Sequence, residues 1–212
     1  QTAALTADKL ALLGGNVTLT NTSNNIGTLA ASGVSGLSYT DSNALIIGVA
    51  GATGMSATGQ VLIETLTGDL SVTENVATTN TTANAVMLNA GKGTAAGMAT
   101  GGNIVVTSGK TVTVGAGGTA KLYTGSVSGS TNLAAMTGLG SGSGRFRYNS
   151  DETTTNFTTL LATGLSAIHR ELPIALVTVL VDAKTMTYGD NLPTLTGTVI
   201  VLVNGDAPTY AI

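Results

Sequence analysis

The sequence predicts an all-β protein, in which a right-handed parallel β-helix (a solenoid) is followed by a small, incomplete β-sandwich-like module. The first observation is a recurring theme between Gly15 and about Thr124, where a glycine precedes Asn, Gln or Asp and an alternating β-branched run follows. The instances are GNVTLT (15–20), GQVLIET (59–65), GDLSVTE (68–74) and GNIVVTS (102–108), with TVTVGAG (111–117) close behind the last. Alternation with a period of two is typical of strands, whereas a helix repeats every ~3.6 residues.

The second observation is that these runs are short and nearly interchangeable, with spacers rich in Asn, Thr, Ser and Gly. Such residues form turns through local hydrogen bonds and by tolerating positive φ. Short strands with small polar turns are compatible with a sandwich, a closed barrel or a solenoid. Interchangeable strands favour the solenoid, because each of its units packs mainly on its neighbours.

The third observation is the scarcity of large side chains, since only 3% of the residues are aromatic. Val, Ile, Leu and Ala suit a narrow core, while Thr and Asn suit outward ladders between stacked strands. Because alternation sends one side of each strand to one environment, we predict a set of aliphatic residues that point inward. They are Val17, Leu19, Val61, Ile63, Leu70, Val72, Ile104, Val106, Val112 and Val114.

Composition argues against several classes of partner. Of the 212 residues, 42% are hydrophobic and 9% are charged, whereas globular domains typically carry about 25% charged residues. The formal net charge of −3 provides no electrostatic footprint for a polyphosphate, so we expect no nucleic-acid partner. The stretches GKGTAAG (91–97) and GAGG (115–118) lack the order GxxxxGK[ST] of a phosphate-binding loop, and we expect them to be solenoid corners. No run approaches the ~20 apolar residues of a membrane-spanning helix, so we expect no membrane insertion.

The beginning of the chain and its cysteine content say little about its compartment. There are no cysteines, so no disulfide framework indicates a redox environment. The first residues, QTAALTADKLALLGG, lack the basic region of a signal peptide and an initiating Met. We therefore expect a processed product or an excised segment.

Residues 141–173 interrupt the strand pattern. This segment contains three arginines, the single histidine and an acidic pair. Its apolar residues have the spacing of one helical face, and Ser150 or Asp151 could cap such a helix, but its threonine runs favour strands. We predict a transition that covers the end of the solenoid, with more strand than helix.

The first part of the chain resembles a known family. NVTLTNTSNNIGTLAASGVSGLSYTDSNAL and GGNIVVTSGKTVTVGAGGTAKLYTG are similar to the repeat regions of filamentous-haemagglutinin-type proteins, the large exoproteins of bacterial two-partner secretion. The phrase GRFRYNSDE (144–152) is typical of the same family. The resemblance covers roughly residues 1–172, and it implies a β-helix and an exported, cell-surface location.

A second resemblance begins after Pro173. IALVTVLVDAKTMTYGDNLPTLTGTVIVLVNGDAPTYAI is similar to the start of the small all-β modules of bacterial adhesins called MBG or YDG domains. The matching residues include the Thr-Tyr-Gly-Asp turn at 187–190 and Pro193. Gly189 can supply an unusual turn dihedral, Asp190 can bond nearby backbone amides, and Pro193 can stop strand pairing.

These patterns divide the chain into three parts. We predict a parallel β-helix over 1–140, a transition or cap over 141–173, and a partial MBG/YDG-type module over 174–212. The structural turn motif of the last part consists of Tyr188, Gly189, Asp190 and Pro193. Because the family's module normally runs well beyond Asp206, we expect this one to be incomplete.

Candidate catalytic residues are few. His169 is the single histidine, so no histidine cluster or dyad can form within one chain, and we expect it on the surface or in a turn. The RYNSDE cluster (147–152) could form a small polar site, but an Arg–carboxylate pair on the surface near the solenoid end is the interpretation we favour. Polysaccharide-cleaving β-helices need acidic pairs or Arg/Lys/acid groups in a groove, whereas residues 15–124 hold a handful of acids and three lysines. We expect no enzymatic activity and no cofactor.

Calcium binding is also not expected. Asp69, Asp182, Asp190 and Asp206 stand alone in the sequence, and no GGxGxD repeat or EF-hand spacing occurs. Each is interpreted as a turn aspartate, and no metal site is predicted.

Two functions follow as expectations. The first is a structural segment of a secreted bacterial surface fibre or adhesin stalk, which associates head to tail with other copies through strand edges at both ends. The alternative is an adhesin module that binds glycans or a host surface. Sugar rings usually stack on clustered aromatic side chains, and the scattered aromatics of this chain favour the structural interpretation.

Overall fold

The computed structural model describes residues 1–137, 144–173, 179–189, 191–194 and 196–199. Strands dominate these residues, which confirms the all-β prediction, and the helix among them is a short one, α1 (Leu133–Thr137). The strands before α1 are β1 (Thr6–Leu13), β2 (Asn16–Leu19), β3 (Asn25–Val34), β4 (Gly36–Asp41), β5 (Leu45–Ile47), β6 (Met55–Ala57), β7 (Val61–Thr65), β8 (Leu70–Val72), β9 (Val76–Thr78), β10 (Val86–Ala90), β11 (Ile104–Val106), β12 (Val112–Thr113) and β13 (Thr119–Thr124). Those after it are β14 (Phe146–Arg147), β15 (Gly164–His169), β16 (Val179–Val181) and β17 (Gly197–Val199).

The strands β1–β15 build two parallel sheets. The eight-stranded sheet has the order β11-β8-β5-β3-β6-β9-β12, with β1 on the other side of β3, and the seven-stranded sheet has the order β14-β15-β13-β10-β7-β4-β2. The chain visits the first sheet and then the second in each of five passes, which are β1–β2, β3–β4, β5–β7, β8–β10 and β11–β13. From the third pass on, two short strands replace the single long strand of the eight-stranded sheet. Each pass therefore adds strands to the same two ladders.

Register carries the alternating pattern from one pass to the next. In the seven-stranded sheet Leu37, Val61 and Val86 are partners on successive strands. Because the side-chain period of a strand is two, this register stacks all inward residues into columns. The ten predicted core positions are confirmed: seven are buried, and Val17, Leu19 and Val114 pack half-buried against the same core.

Two glycines explain why a glycine precedes several of the alternating runs. A Cβ at Gly59 would collide with the backbone carbonyl of Ser35, and a Cβ at Gly102 would collide with that of Gly68. Gly102 also has a φ of 153°, which side chains rarely allow. These glycines therefore let one pass approach the previous one closely at the start of a strand.

Inward polar residues close the passes at one corner. Asp41 Oδ2 accepts hydrogen bonds from the Tyr39 hydroxyl at 2.6 Å and from the Ile26 backbone N–H at 2.9 Å. Thr124 Oγ1 accepts one from the Ile104 N–H at 2.9 Å. Burial, and then the hydrogen bond and charge of Asp41, raise the pKa of Tyr39, so the hydroxyl stays protonated and continues to donate.

The last strand of the seven-stranded sheet is out of sequence order. After α1 the chain forms β14, which pairs only with β15 and lies beyond it, and then returns to form β15 between β13 and β14. Over the described residues, 144–173 thus contains two strands and no helix, which agrees with the predicted preference for strand.

The strands β16 and β17 differ from the others because they pair antiparallel. The Asp182 N–H donates to the Thr196 carbonyl at 2.9 Å and extends this pairing. Most of the interval between them carries the sequence KTMTYGDNLP. The incomplete β-sandwich-like module remains a prediction, because much of 174–212 lies outside the described residues. No helix in the described part of the chain has the length and apolarity needed to cross a membrane.

Candidate functional site

The buried ionisable side chains of the described residues concentrate where the seven-stranded sheet ends. Three segments meet there: the strap (residues 144–163), the residues that follow β15, and the excursion (residues 91–103) between β10 and β11. The polar side chains that lie in this region, on one face of the sheet or the other, are Asn89, Tyr123, Arg147, Asp151, Glu152, His169 and Arg170.

His169 is buried, so the prediction of a surface or turn histidine is wrong. It is 1% exposed, and its ring stacks against those of Phe146 and Tyr148, with centroids 5.8 and 5.3 Å away. Alternation along β15 explains this, because Leu165, Ala167 and His169 share the inward face. Burial is the main cause that lowers the pKa of His169 to about 4, so the ring is neutral near pH 7.

The His169 ring also borders a cavity of about 350 Å³. Residues of α1, including Leu133, form one wall, and Val127 and Phe146 form others. The ring hydrogen-bonds the Arg147 backbone, while Nδ1 has no hydrogen-bond partner among the described residues. A neutral ring held in this way can accept a hydrogen bond. Ser130 and Asn132 also line the cavity, and their side chains donate to the backbone carbonyls of Ser126 and Val106.

The RYNSDE cluster is an interior element, so the predicted surface location of its arginine is wrong. Arg147 is 1% exposed and donates to the carbonyls of Phe146 and Thr159, with its guanidinium 5.2 Å from the centre of the Phe157 ring. The guanidinium of Arg147 therefore interacts with an aromatic ring and backbone carbonyls in the interior, where a surface arginine would interact with water.

Asp151 works as a clamp for backbone N–H groups. Its Oδ1 accepts from the backbone of Thr153 and Thr154 at 2.7 and 2.6 Å, and its Oδ2 accepts from Ala96 in the excursion at 2.8 Å. Burial acts to raise the pKa of Asp151, but these hydrogen bonds outweigh it and hold the pKa below its usual value. The carboxylate therefore ties the strap to the excursion.

Arg170 connects the end of the seven-stranded sheet to earlier parts of the chain. It is fully buried, and its Nη2 donates to the carbonyls of Ala90, Thr100 and Gly102 at 2.5, 3.2 and 2.8 Å. Burial lowers the pKa of Arg170, an effect that the nearby carboxylates of Glu152 and Asp151 oppose.

Two further ionic contacts lie along the passes. Glu64 Oε2 is 2.6 Å from Lys92 Nζ and accepts from the Thr40 hydroxyl at 3.1 Å, which joins passes two, three and four. Lys110 Nζ is 2.7 Å from Glu74 Oε2 and joins passes four and five. Sequence reasoning missed these pairs, because their partners are far apart along the chain.

The predicted turn aspartates that the structure describes, Asp69 and Asp182, hydrogen-bond residues on neighbouring segments. Asp69 Oδ1 accepts from the Asn103 N–H at 2.8 Å, and Asp182 accepts from the Thr196 hydroxyl. Asp190 and Asp206 lie outside the described residues. Among the residues that are described, no three His, Cys, Asp or Glu side chains form a group that could hold a metal ion.

The predicted turn motif is partly described. Tyr188 is fully exposed, Gly189 has a φ of 101°, and Pro193 is half-buried. A φ of 101° lies in the region that favours glycine, so the residue type fits the position. Asp190 lies outside the described residues, so its backbone hydrogen bonds remain a prediction.

Comparison of the chain with known protein families, with curated proteins and with solved structures finds no match. The likeness to filamentous-haemagglutinin-type exoproteins and to MBG/YDG modules therefore remains a prediction from the sequence.

Proposed function

We propose that this chain is a structural segment of a secreted bacterial surface fibre or adhesin stalk, with passes that wind as a right-handed parallel β-helix. The observation that carries the proposal is the in-register stacking of five passes on the same two ladders. Each pass lengthens the molecule along one axis by about the 4.8 Å spacing of paired strands. A repeat that grows along one axis suits a stalk, because length can be increased without a new core.

The use of polar residues supports the same function. Asp41 and Thr124 close corners, and Asp151 and Arg170 hold the strap and the excursion in place. Each of these side chains hydrogen-bonds at least one backbone group of another segment. The chemistry of the chain is thus directed at holding successive passes together.

Assembly with other copies would use the strand edges. Among the described strands β1 pairs only with β3 and β2 only with β4, so each has one edge that no described strand covers. Such edges recruit strands by β-augmentation. Because the two ends of the ladders differ, the contact would be head to tail, and head-to-tail contacts produce open filaments when the rotation does not close.

The test is to place a charge on the inward side of the first pass. Leu10→Lys should reduce particle length in electron microscopy and light scattering, because a new strand would have to bury the lysine. Ala11→Lys is the matched control, since Ala11 is exposed on the same strand. The proposed assembly would be contradicted if the unmodified chain stays monomeric at high concentration. It would also be contradicted if Leu10→Lys forms particles of unchanged length.

A second variant tests the other end. Deletion of residues 174–212 should also shorten the particles, because the proposal assigns contacts to both ends. If the particle length is unchanged, residues 174–212 take no part in the contact between copies, and the predicted role of the C-terminal module is wrong.

The alternative, a glycan- or host-surface-binding module, has less support. Tyr39, Tyr123, Phe146 and Tyr148 are buried, so their rings are not available for stacking on sugars. Tyr188 is exposed, and it stands alone among the described aromatic residues in being so.

A further inference from the structure

Four polar side chains from different parts of the chain meet between the outer face of the seven-stranded sheet and the excursion. We call them the outer polar cluster: Asn89 in β10, Tyr123 in β13, Glu152 in the strap and Arg170 after β15. Asn89 and Tyr123 are partners on adjacent strands. Arg170 Nη2 bonds the carbonyl of Ala90, the residue next to Asn89. Glu152 is close enough to Tyr123 and Arg170 that its charge acts on both.

Several buried atoms of this cluster have no hydrogen-bond partner in the described protein. They are Nδ2 and Oδ1 of Asn89, Nε and Nη1 of Arg170, and Oε2 of Glu152. Asn89 and Arg170 are both fully buried. A buried polar group without a partner destabilises the fold, and the net stability of a whole domain is small. A set of this size in one place therefore requires partners.

We propose that the outer polar cluster is a binding site for internal water, in which ordered water molecules bridge Asn89, Glu152 and Arg170. The unpartnered atoms include donors on Asn89 and Arg170 and acceptors on Asn89 and Glu152, and a water molecule serves both kinds. Buried waters typically make two to four such hydrogen bonds.

Ions fit the cluster less well than water does. The Arg170 guanidinium repels a cation, and the carboxylates of Glu152 and Asp151 repel an anion. The Asp151 oxygens already accept from Thr153, Thr154 and Ala96, so Glu152 offers the free carboxylate oxygen of the pair. A neutral molecule that both donates and accepts satisfies the atoms without adding charge.

The consequence is a hydrated contact between the outer face of the seven-stranded sheet, the strap and the excursion. Glu152 Oε1 holds the Gly93 N–H at 2.7 Å, while Arg170 holds the carbonyls of Ala90, Thr100 and Gly102. The bridging water connects these two anchors, so that the strap, the excursion and the ladder share one hydrogen-bond network.

The experiment is nuclear magnetic resonance on the full chain, which detects transfer of magnetisation from long-lived water to nearby N–H protons. We expect such transfer to the Nε–H of Arg170 and to the Nδ2 protons of Asn89. Asn89→Leu should remove or strongly reduce the transfer to Arg170, because it deletes two polar atoms from the cluster. Asn84→Leu, at an exposed asparagine just before β10, should leave the transfer unchanged.

Two results would overturn the proposal, and neither depends on the folding of a variant. One is the absence of water transfer to both groups in the unmodified chain. The other is a scalar coupling across a direct Arg170–Glu152 hydrogen bond, which would establish a dry ion pair instead.

Discussion

The two ends of the parallel ladders are finished in different ways. In the first pass Leu10 and Leu12 are half-buried, whereas Leu29, the partner of Leu10 one pass further on, is completely buried. At the other end α1, β14 and the strap lie beyond the fifth pass. The Asn132 side chain, for example, donates to the Val106 carbonyl on the edge of β11 at 2.7 Å. Burial of a strand in this molecule therefore depends on having a neighbouring pass on both sides more than on the strand's own sequence.

The largest expected effect compares the covered end of the stack with its open end. Val106→Asp should lower the free energy of unfolding by roughly 3–5 kcal/mol, since it leaves a charge buried without a partner. Val17→Asp, the matched change in the first pass, should cost much less, because Val17 is only half-buried. Denaturant unfolding measures both, and equal losses would contradict the dependence on the neighbouring pass.

Lowering the pH should destabilise the chain through His169, which lies at the covered end. Burial lowers the pKa of His169 from its ordinary value of 6.5 to about 4 in the folded chain, so the unfolded state binds the extra proton as the pH falls between these values. The stabilisation is therefore present above pH 6.5 and is lost toward pH 4, by about 3 kcal/mol. Thermal unfolding of the unmodified chain and of His169→Phe across this range is the measurement. The variant should lose the dependence in this window, and an unchanged profile would mean that His169 does not cause it.

Arg170 is expected to contribute more to the free energy of unfolding than Lys9 does at the open end. Arg170→Met keeps much of the volume but leaves the carbonyls of Ala90, Thr100 and Gly102 without their donor, which should cost about 2 kcal/mol. Lys9→Met, on the exposed β1, should change stability little. Hydrogen exchange of the β10 and β15 amides, followed beside global unfolding, tests this. A loss confined to β1 would contradict it.

The smallest effect concerns the ion pair between passes four and five. Lys110 and Glu74 are partly exposed, with side chains 29% and 24% accessible. Lys110→Ala should therefore cost less than about 1 kcal/mol, and the loss should shrink further in high salt. A loss of several kcal/mol would show that passes depend on their charged edges as well as on the aliphatic columns.

The strands and the core could be predicted because both depend on short-range alternation. Val61 and Ile63, two residues apart, share a face wherever the chain is extended, and no knowledge of distant contacts is needed. The same rule was available for His169, which lies two residues after Ala167 on β15. The predicted surface position was wrong because alternation along β15 turns the His169 side chain inward.

The cap could be predicted only in outline. The partners of Arg170 lie 68 to 80 residues earlier in the chain, and those of Asp151 include Ala96, 55 residues earlier. No local pattern encodes such pairings. The strand β1 was also missed, because its side chains carry no alternating β-branched run.

The position of β14 limits the order in which the chain can reach its final form. β14 is made before β15, yet its partner in the sheet is β15, which itself needs β13. The first five passes could be laid down one after another from the N-terminus, but β14 has nothing to pair with until residues 164–169 are present. For a chain that emerges gradually, from a ribosome or through a membrane, the strap must wait as an unpaired loop. The last layer then forms in one step, and we expect folding to be progressive along the ladders and all-or-none at this end.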